Sequence, residues 1–375
     1  MPDKILFLTL KTFSFTGGIE KVSRIAGKAL FEMTETSGGL IVYSMYDSPE
    51  DVDEKYIPQK NFKGFGKKKL QFTIKSIQAG IKSDVVILSH INLLPIGFII
   101  KLLSPKAKLL LFAHGIEVWK HFSPRQKKML EKCTRLLAVS RYTKQRMIRF
   151  NQLPENLFDI LNNCLDPFLK PPLNAPKNKE LLKKYGFKEN DIVLMTLTRL
   201  SSKEKYKGYD KIIEAVHILL KEYPNIKYLI IGKYDRAEKD RLDKIIKAYN
   251  LSDIVEFTGF LPDEFLAEHY NLADVYVMPS EKEGFGIVFI EAMYYGKPVI
   301  AGNKDGSVDA LCNGELGFLV GPDNEEEIIG AIRKVINNKN VFLPDYDLLM
   351  DNFSYPVYKD KLNKILAGLR RENFF

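Results

Sequence analysis

Glu283 and Glu291 stand on either side of a glycine-bearing turn, in the stretch Met278-Pro-Ser-Glu-Lys-Glu-Gly-Phe-Gly-Ile-Val-Phe-Ile-Glu-Ala-Met293. The second acid follows the first by about two helical turns, which returns it to nearly the same side. Carboxylates repel a bare phosphate but accept readily from hydroxyl groups. The turn between them has the opposite preference. Gly284, Phe285 and Gly286, leading into Ile287 and Val288, leave backbone N–H groups without partners at the positive end of a helix dipole, which suits a phosphate. A ligand carrying both a phosphate and a polyol satisfies the whole stretch, and a nucleotide sugar is such a ligand. Glycine turns and solvated glutamate pairs also occur in many α/β domains, so the flanking elements must support the reading.

Those flanks read as alternating strands and helices. Residues 273–278 form a short apolar strand before the turn, a helix starts at Ile287, Gly296-Lys-Pro298 stops it, and 299–301 begin another strand. Near the amino terminus, the apolar run 5–10 leads through a loop to Gly17 and Gly18, which open a helix. This is a second phosphate-suited turn, in which glycine lets the backbone approach a ligand, though it lacks the dinucleotide G-x-G-x-x-G pattern. Further strands fall at 40–43, 85–88, 108–113 and 136–140, the last followed by a helix capped by Ser140 or Thr143. His90 and His114 each follow a strand, where ligands collect in an open α/β sheet. His114, followed by Gly115, is the favoured candidate, and capping of a strand end is the plain alternative. The four prolines between Pro167 and Pro176 mark a hinge. A second series then begins with the strand 192–197, which delivers Arg199, and Lys207-Gly208 starts the next helix. Strands follow at 228–232 and 255–261, the latter ending at Phe260 and Leu261, and His269 sits on the helix after them as surface or boundary packing.

Taken together, Glu283-Gly-Phe-Gly…Glu291-Ala, Gly296-Lys-Pro-Val-Ile and Asp305-Gly-Ser-Val-Asp309 resemble the retaining glycosyltransferases of GT-B family four (glycosyl transferases group 1), of the bacterial type that builds surface polysaccharides with mannosyl or glucosyl units. The resemblance runs over most of the chain and is strongest between Arg199 and Val320. It implies an α/β fold of two facing Rossmann-like domains with an interdomain cleft. The domains would be residues 1–168 on the acceptor side and 169–353 on the donor side, with a final helix at 354–375 packing back on the first. It also implies roles. Glu283 holds sugar hydroxyls, Glu291 accepts from the ribose, and the amides from Gly284 to Val288 hold sugar and phosphate. Arg199 and Lys207 take the leaving diphosphate, Gly17 and Gly18 face the donor, His114 lies at the sugar end, and the backbone at Phe260 and Leu261 meets the base. The chain departs from the family pattern at Thr198, at Cys164, at Asp305 and Asp309, and in an insertion where Lys203 and Lys205 compete with Lys207 for the phosphate. Asp305-Gly-Ser-Val-Asp309 is assigned to structure with a minor ligand role, and the relatives it resembles make GDP-mannose a modest favourite over UDP-hexose as donor. The acceptor would be a saccharide or lipid-linked saccharide. A nucleotide-sugar epimerase and a non-catalytic nucleotide-sugar-binding protein are the alternatives.

Composition sets the remaining expectations. A chain of 375 residues exceeds one core and suggests two domains. Three scattered cysteines give neither a metal spacing nor a disulfide set, which fits a cytoplasmic protein. Asp51-Val-Asp53 and Asp345-Tyr-Asp347 imitate the Asp-x-Asp of metal-using transferases without a strand behind them, so neither a metal nor a cofactor is expected. Residues 1–164 hold 26 Lys and Arg against 14 Asp and Glu, whereas 165–375 hold 30 against 33. The basic half, with Phe62, Phe65 and Phe72 interleaved among lysines, reads either as a solvated basic loop or as an anionic membrane face met peripherally. Nucleic acid is not expected, because no nucleic-acid-binding motif accompanies the charge.

Overall fold

The computed structural model describes residues 4–35, 39–173, 175–338 and 341–371. The chain divides into two compact units, Phe168–Asn352 and the residues before and after it, up to Pro167 and from Phe353. Each unit is built on one parallel sheet.

In the first unit the strands are β1 (Ile5–Thr9), β2 (Leu40–Ser44), β3 (Phe62–Gly64), β4 (Val85–Leu88), β5 (Lys108–Ala113), β6 (Arg135–Ala138) and β7 (Phe158–Ile160). They lie in the order β3-β2-β1-β4-β5-β6-β7. Ile5 of β1 aligns with Leu40 on one side and Val85 on the other, so the strand order reverses beside β1. Uninterrupted apolar runs such as Ile5-Leu-Phe-Leu8 are buried throughout, as a parallel sheet covered on both faces requires. The helix Tyr355–Arg371 belongs to this unit and packs on the helix Gly18–Thr34. Tyr355 Oη and Lys359 Nζ each lie 2.9 Å from Glu32 Oε2.

The second unit repeats the plan with β8 (Ile192–Leu197), β9 (Ile226–Ile231), β10 (Val255–Gly259), β11 (Val275–Met278), β12 (Val299–Gly302) and β13 (Phe318–Val320), in the order β10-β9-β8-β11-β12-β13. Every recorded pairing is parallel, and Val275 of β11 aligns with Leu194 of β8. The reversal here falls between β8 and β11. In an open α/β sheet the crevice beyond the carboxyl ends of two such strands is where ligands bind.

Two expectations fail on burial. Phe62, Phe65 and Phe72 are core residues, with Phe65 and Phe72 edge to face at 5.3 Å, so they are not membrane-facing. Alternation along β3 and the inward face of the helix Lys69–Gly80 turn these rings toward the sheet and leave the intervening lysines in solvent. His269 is buried rather than on the surface. Its Nδ1 donates to Phe265 O at 2.7 Å, which leaves Nε2 to accept from Tyr185 Oη at 2.8 Å. Burial holds its pKa below the usual histidine range, despite the Phe265 carbonyl.

Candidate functional site at the strand-order reversal of the second unit

The loops that leave β8 and β11 meet at this reversal. The first, residues 198–208, ends in a short turn Lys205–Lys207 and passes through Gly208 into the helix Tyr209–Leu219. Gly208 has φ 76°, and a Cβ there would lie 2.7 Å from Pro279 O, so only glycine lets the two loops come this close. Glu281 N donates to Tyr206 O at 2.9 Å across the same seam. From below, Lys211 Nζ holds Glu281 at 2.9 Å and Asp323 at 2.8 Å.

This packing delivers Lys207 to Glu283, and the two form an ion pair with side chains only 14% and 19% exposed. Burial disfavours the ammonium, but the Glu283 carboxylate outweighs it and holds Lys207 above the usual lysine range. Lys203 and Lys205 are exposed. Arg199 is 62% exposed and grips Glu204 through two nitrogens, with Nε to Oε2 at 3.0 Å.

Glu283 is also fixed through its backbone. Its N–H donates to Asp305 Oδ2 at 2.6 Å, and its carbonyl accepts from Gly306 N at 2.8 Å. Asp305 Oδ1 accepts from Ser307 N at 2.9 Å. Burial, reinforced by the nearby Glu283 charge, pushes the Asp305 carboxyl up to about 7 against its hydrogen bonds. Gly284 then leads through Phe285 to Gly286, which caps the helix Ile287–Tyr294 at φ 88°. The Phe285 and Ile287 side chains are buried, so these residues offer only backbone to a ligand. The amides of Ile287 and Val288 fall in the first helical turn, where no helical carbonyl reaches them.

Glu291 is 1% exposed on the same helix. Burial and then the Glu291 charge raise the pKa values of Tyr270 and Tyr295, two rings stacked at 4.7 Å. The two acids of the sequence pattern thus occupy different settings, one paired with an ammonium and one set among tyrosines. At the end of β10, Phe260 is exposed and Leu261 half-buried. Both border a cavity of about 370 Å³ that Thr258, Tyr185, Asn178 and His269 also line.

In the first unit, the loop after β1 is shaped by Asp47, a fully buried acid that follows β2. Its carboxylate accepts from Thr12 N at 2.7 Å, Phe13 N at 3.3 Å, Ser14 N at 3.0 Å and Ser44 Oγ at 2.7 Å. Gly17 and Gly18 follow this loop. A Cβ at Gly18 would meet nothing within 4 Å among the described residues, so the fold itself does not require glycine there. His114 is half-buried and stacks on Phe112 at 5.8 Å. Its Nε2 lies 2.7 Å from Ser89 O, which only accepts, so Nε2 carries the proton and Nδ1 is the acceptor of the neutral ring. His90 instead caps the turn Ile91–Leu93, its Nδ1 accepting from Asn92 N at 3.0 Å.

Sequence reasoning singled out Glu283, Gly284, Gly286 and Lys207, and the structure brings these together. It missed Asp47 and Glu204 and underrated Asp305 as the residue that seats Glu283. Asp47 and its loop partners are 33 to 35 positions apart, and no local pattern marks such a pairing.

Two doubly wound parallel-sheet units with an anion-suited helix start at a strand-order reversal define a Rossmann-like α/β protein of GT-B type. The chain superposes on HepE of Anabaena, solved in complex with UDP-glucose, with a TM-score of 0.80 over 97% of this chain and 99% of that one at 20% identity. Residues 177–346, which lie within the second unit, match the model of the family glycosyl transferases group 1. Among curated relatives, the chain is 29% identical to the capsular polysaccharide biosynthesis glycosyltransferase CapM of Staphylococcus aureus, over 56% of this chain and 53% of that one. It is 26% identical to a GDP-mannose-dependent phosphatidylinositol monomannoside mannosyltransferase of Mycolicibacterium smegmatis, over 62% of each chain. The chain thus spans less than two thirds of the length of these relatives.

Proposed function

We propose that the protein is a glycosyltransferase. It moves a hexose from a nucleoside diphosphate sugar, GDP-mannose or a UDP-hexose, to a hydroxyl of a saccharide or lipid-linked saccharide in surface-polysaccharide synthesis, with retention of anomeric configuration. The observation that carries this reading is the largely shielded Lys207–Glu283 pair beside the Gly286 helix start, at the β8/β11 reversal of a unit that matches the group 1 family model. One charge of each sign, next to open backbone amides, matches a ligand that is diphosphate at one end and polyol at the other.

The roles follow from the contacts. Glu283 accepts from sugar hydroxyls with the oxygen that Lys207 does not hold, and Lys207 meets the diphosphate oxygens. Arg199 exchanges Glu204 for the diphosphate, a cheap swap because so exposed a pair is worth at most about 1 kcal/mol. As the glycosidic bond breaks, these cations and the amides from Gly284 to Val288 stabilise the charge growing on the departing diphosphate. That supports transfer without a metal. Glu291 accepts from the ribose, and the backbone at Phe260 and Leu261 meets the base. Glu283 is neutralised by Lys207 and so is a poor nucleophile. This favours same-face displacement through an oxocarbenium-like state, in which a donor phosphate oxygen takes the acceptor's proton.

The test incubates purified protein with radiolabelled GDP-mannose, UDP-glucose and UDP-galactose, with and without a lipid-linked saccharide extract, in the presence of a chelator. Acceptor-dependent transfer with retention is expected. Glu291→Ala and Arg199→Ala should each cost about 3 kcal/mol of transition-state stabilisation, roughly a hundredfold in turnover. Donor conversion without acceptor would show an epimerase, and binding without turnover would show a carrier. Loss of activity to the chelator, restored by Mg²⁺ or Mn²⁺, would overturn metal independence.

A further inference from the structure

The helices Lys69–Gly80 and Leu94–Leu103 of the first unit lie side by side, close enough that a Cβ at Gly80 would fall 2.5 Å from Ile100 Cδ1. Both connect strands in the same direction across the sheet, and right-handed crossovers place them in the same outer layer. Their inward residues, Phe72, Ile96 and Ile100 among them, fill the core. Their outward faces carry large aliphatic groups among the polar ones. Leu70 and Ile74 on the first helix, with Ile81 just past its end, fall on one side at helical spacing, and Ile99, Leu102 and Leu103 do the same on the second. All six are exposed, Leu70 at 75% and Leu103 at 63%. A soluble surface rarely gathers so many large aliphatic side chains without a partner.

Charge indicates which partner. From residue 55 to residue 116 the sequence holds eleven lysines, one acid (Asp84) and no arginine. Lys67, Lys68, Lys69, Lys75, Lys82 and Lys106 are exposed around the two aliphatic stripes. A second copy of the chain would bring the same positive charge against itself. Nucleic acid is read by arginine and stacked aromatic rings, whereas the phenylalanines here turn inward. An anionic bilayer fits both halves of the pattern. Aliphatic groups enter the boundary between headgroups and acyl chains, while lysine stems lie along them and carry their ammonium groups to lipid phosphates. No helix among the described residues is long and apolar enough to cross a membrane, so the contact is one of docking.

We propose that this face, from Leu70 to Ile81 and from Ile99 to Lys106, is a docking surface for an anionic phospholipid membrane. The inference is independent of the proposed reaction, because its test needs no sugar transfer. The full chain is floated with vesicles of equimolar phosphatidylglycerol and phosphatidylcholine, and with pure phosphatidylcholine. Binding is expected only to the anionic vesicles, weakening as salt is added. Each lysine near such a surface contributes roughly fivefold in partitioning, so the combined Lys67→Gln, Lys68→Gln and Lys69→Gln variant should lose about a hundredfold. Leu102→Glu with Leu103→Glu should abolish flotation while leaving the circular dichroism and melting curve intact, since both side chains are exposed. A control with the same charge change in the second unit, Lys179→Gln, Lys183→Gln and Lys221→Gln, should float like the unmodified protein. The proposal is overturned if no flotation is seen, if neutral vesicles bind equally, or if the control loses as much as the patch variant. It is equally overturned if sedimentation equilibrium shows a dimer that the Leu102→Glu, Leu103→Glu variant dissociates.

Discussion

Lys207→Met keeps the length and most of the volume of the side chain but removes its charge, and so isolates the pair on which the proposed site depends. The two partners are only 14% and 19% exposed, which places them nearer the buried limit than the surface one. Removing one member of a buried pair costs about 3–5 kcal/mol, because the other charge stays in a poor solvent. Residual exposure argues for the lower end, about 3 kcal/mol. The direction of the lysine pKa supports this, since Glu283 more than offsets the burial that would lower it. In a unit of this size each kcal/mol moves the melting temperature by about 2–4 °C, so a fall of roughly 6–12 °C is expected. Adding Glu283→Gln removes the stranded charge and should restore most of the loss, leaving a coupling of about 2 kcal/mol in the double-mutant cycle. Thermal and urea unfolding of the four proteins, followed by circular dichroism, give the numbers. In the transfer assay Lys207→Met should also lose roughly a hundredfold in turnover. Strictly additive single effects, or losses below about 0.5 kcal/mol of the kind a solvated pair gives, would refute the reasoning.

Two further substitutions probe the groups that seat the site. Asp47→Asn replaces one accepting oxygen by an NH₂ group and leaves at least one of the Thr12, Phe13 and Ser14 amides facing a donor. This should cost about 2 kcal/mol and lower the melting temperature by roughly 4–8 °C. An unchanged melting curve would remove Asp47 from the account. Asp305 gives a pH dependence. Its folded carboxyl is raised to about 7, so below the ordinary carboxylate pKa both states are protonated and its contribution to stability is fully present. That contribution is lost as pH rises through about 7, by up to about 4 kcal/mol. Asp305→Asn does not titrate, so its stability relative to the unmodified protein should improve between about pH 4 and about pH 7. A difference that does not change with pH would show that Asp305 is ionised throughout.

The features legible in the sequence are those written within a few residues of one another. Runs such as Ile5-Leu-Phe-Leu8 and Tyr228-Leu-Ile-Ile231 announce buried parallel strands, because a strand covered on both faces has no polar side to show. The turn before Ile287 is likewise local, since a glycine between strand and helix leaves helix-start amides open whatever the rest of the chain does. The order of the strands, the pairing of Lys207 with Glu283 across 76 positions, and the grip of Asp47 on the loop after β1 were settled only by the tertiary structure. So were the inward turn of Phe62, Phe65 and Phe72 and the exposure of Leu70, Leu102 and Leu103. The physical reason is one of range. Periodicity states which side of an element is apolar, but which charge meets which carboxylate, and which apolar face stays uncovered, depends on the packing of elements far apart in the chain.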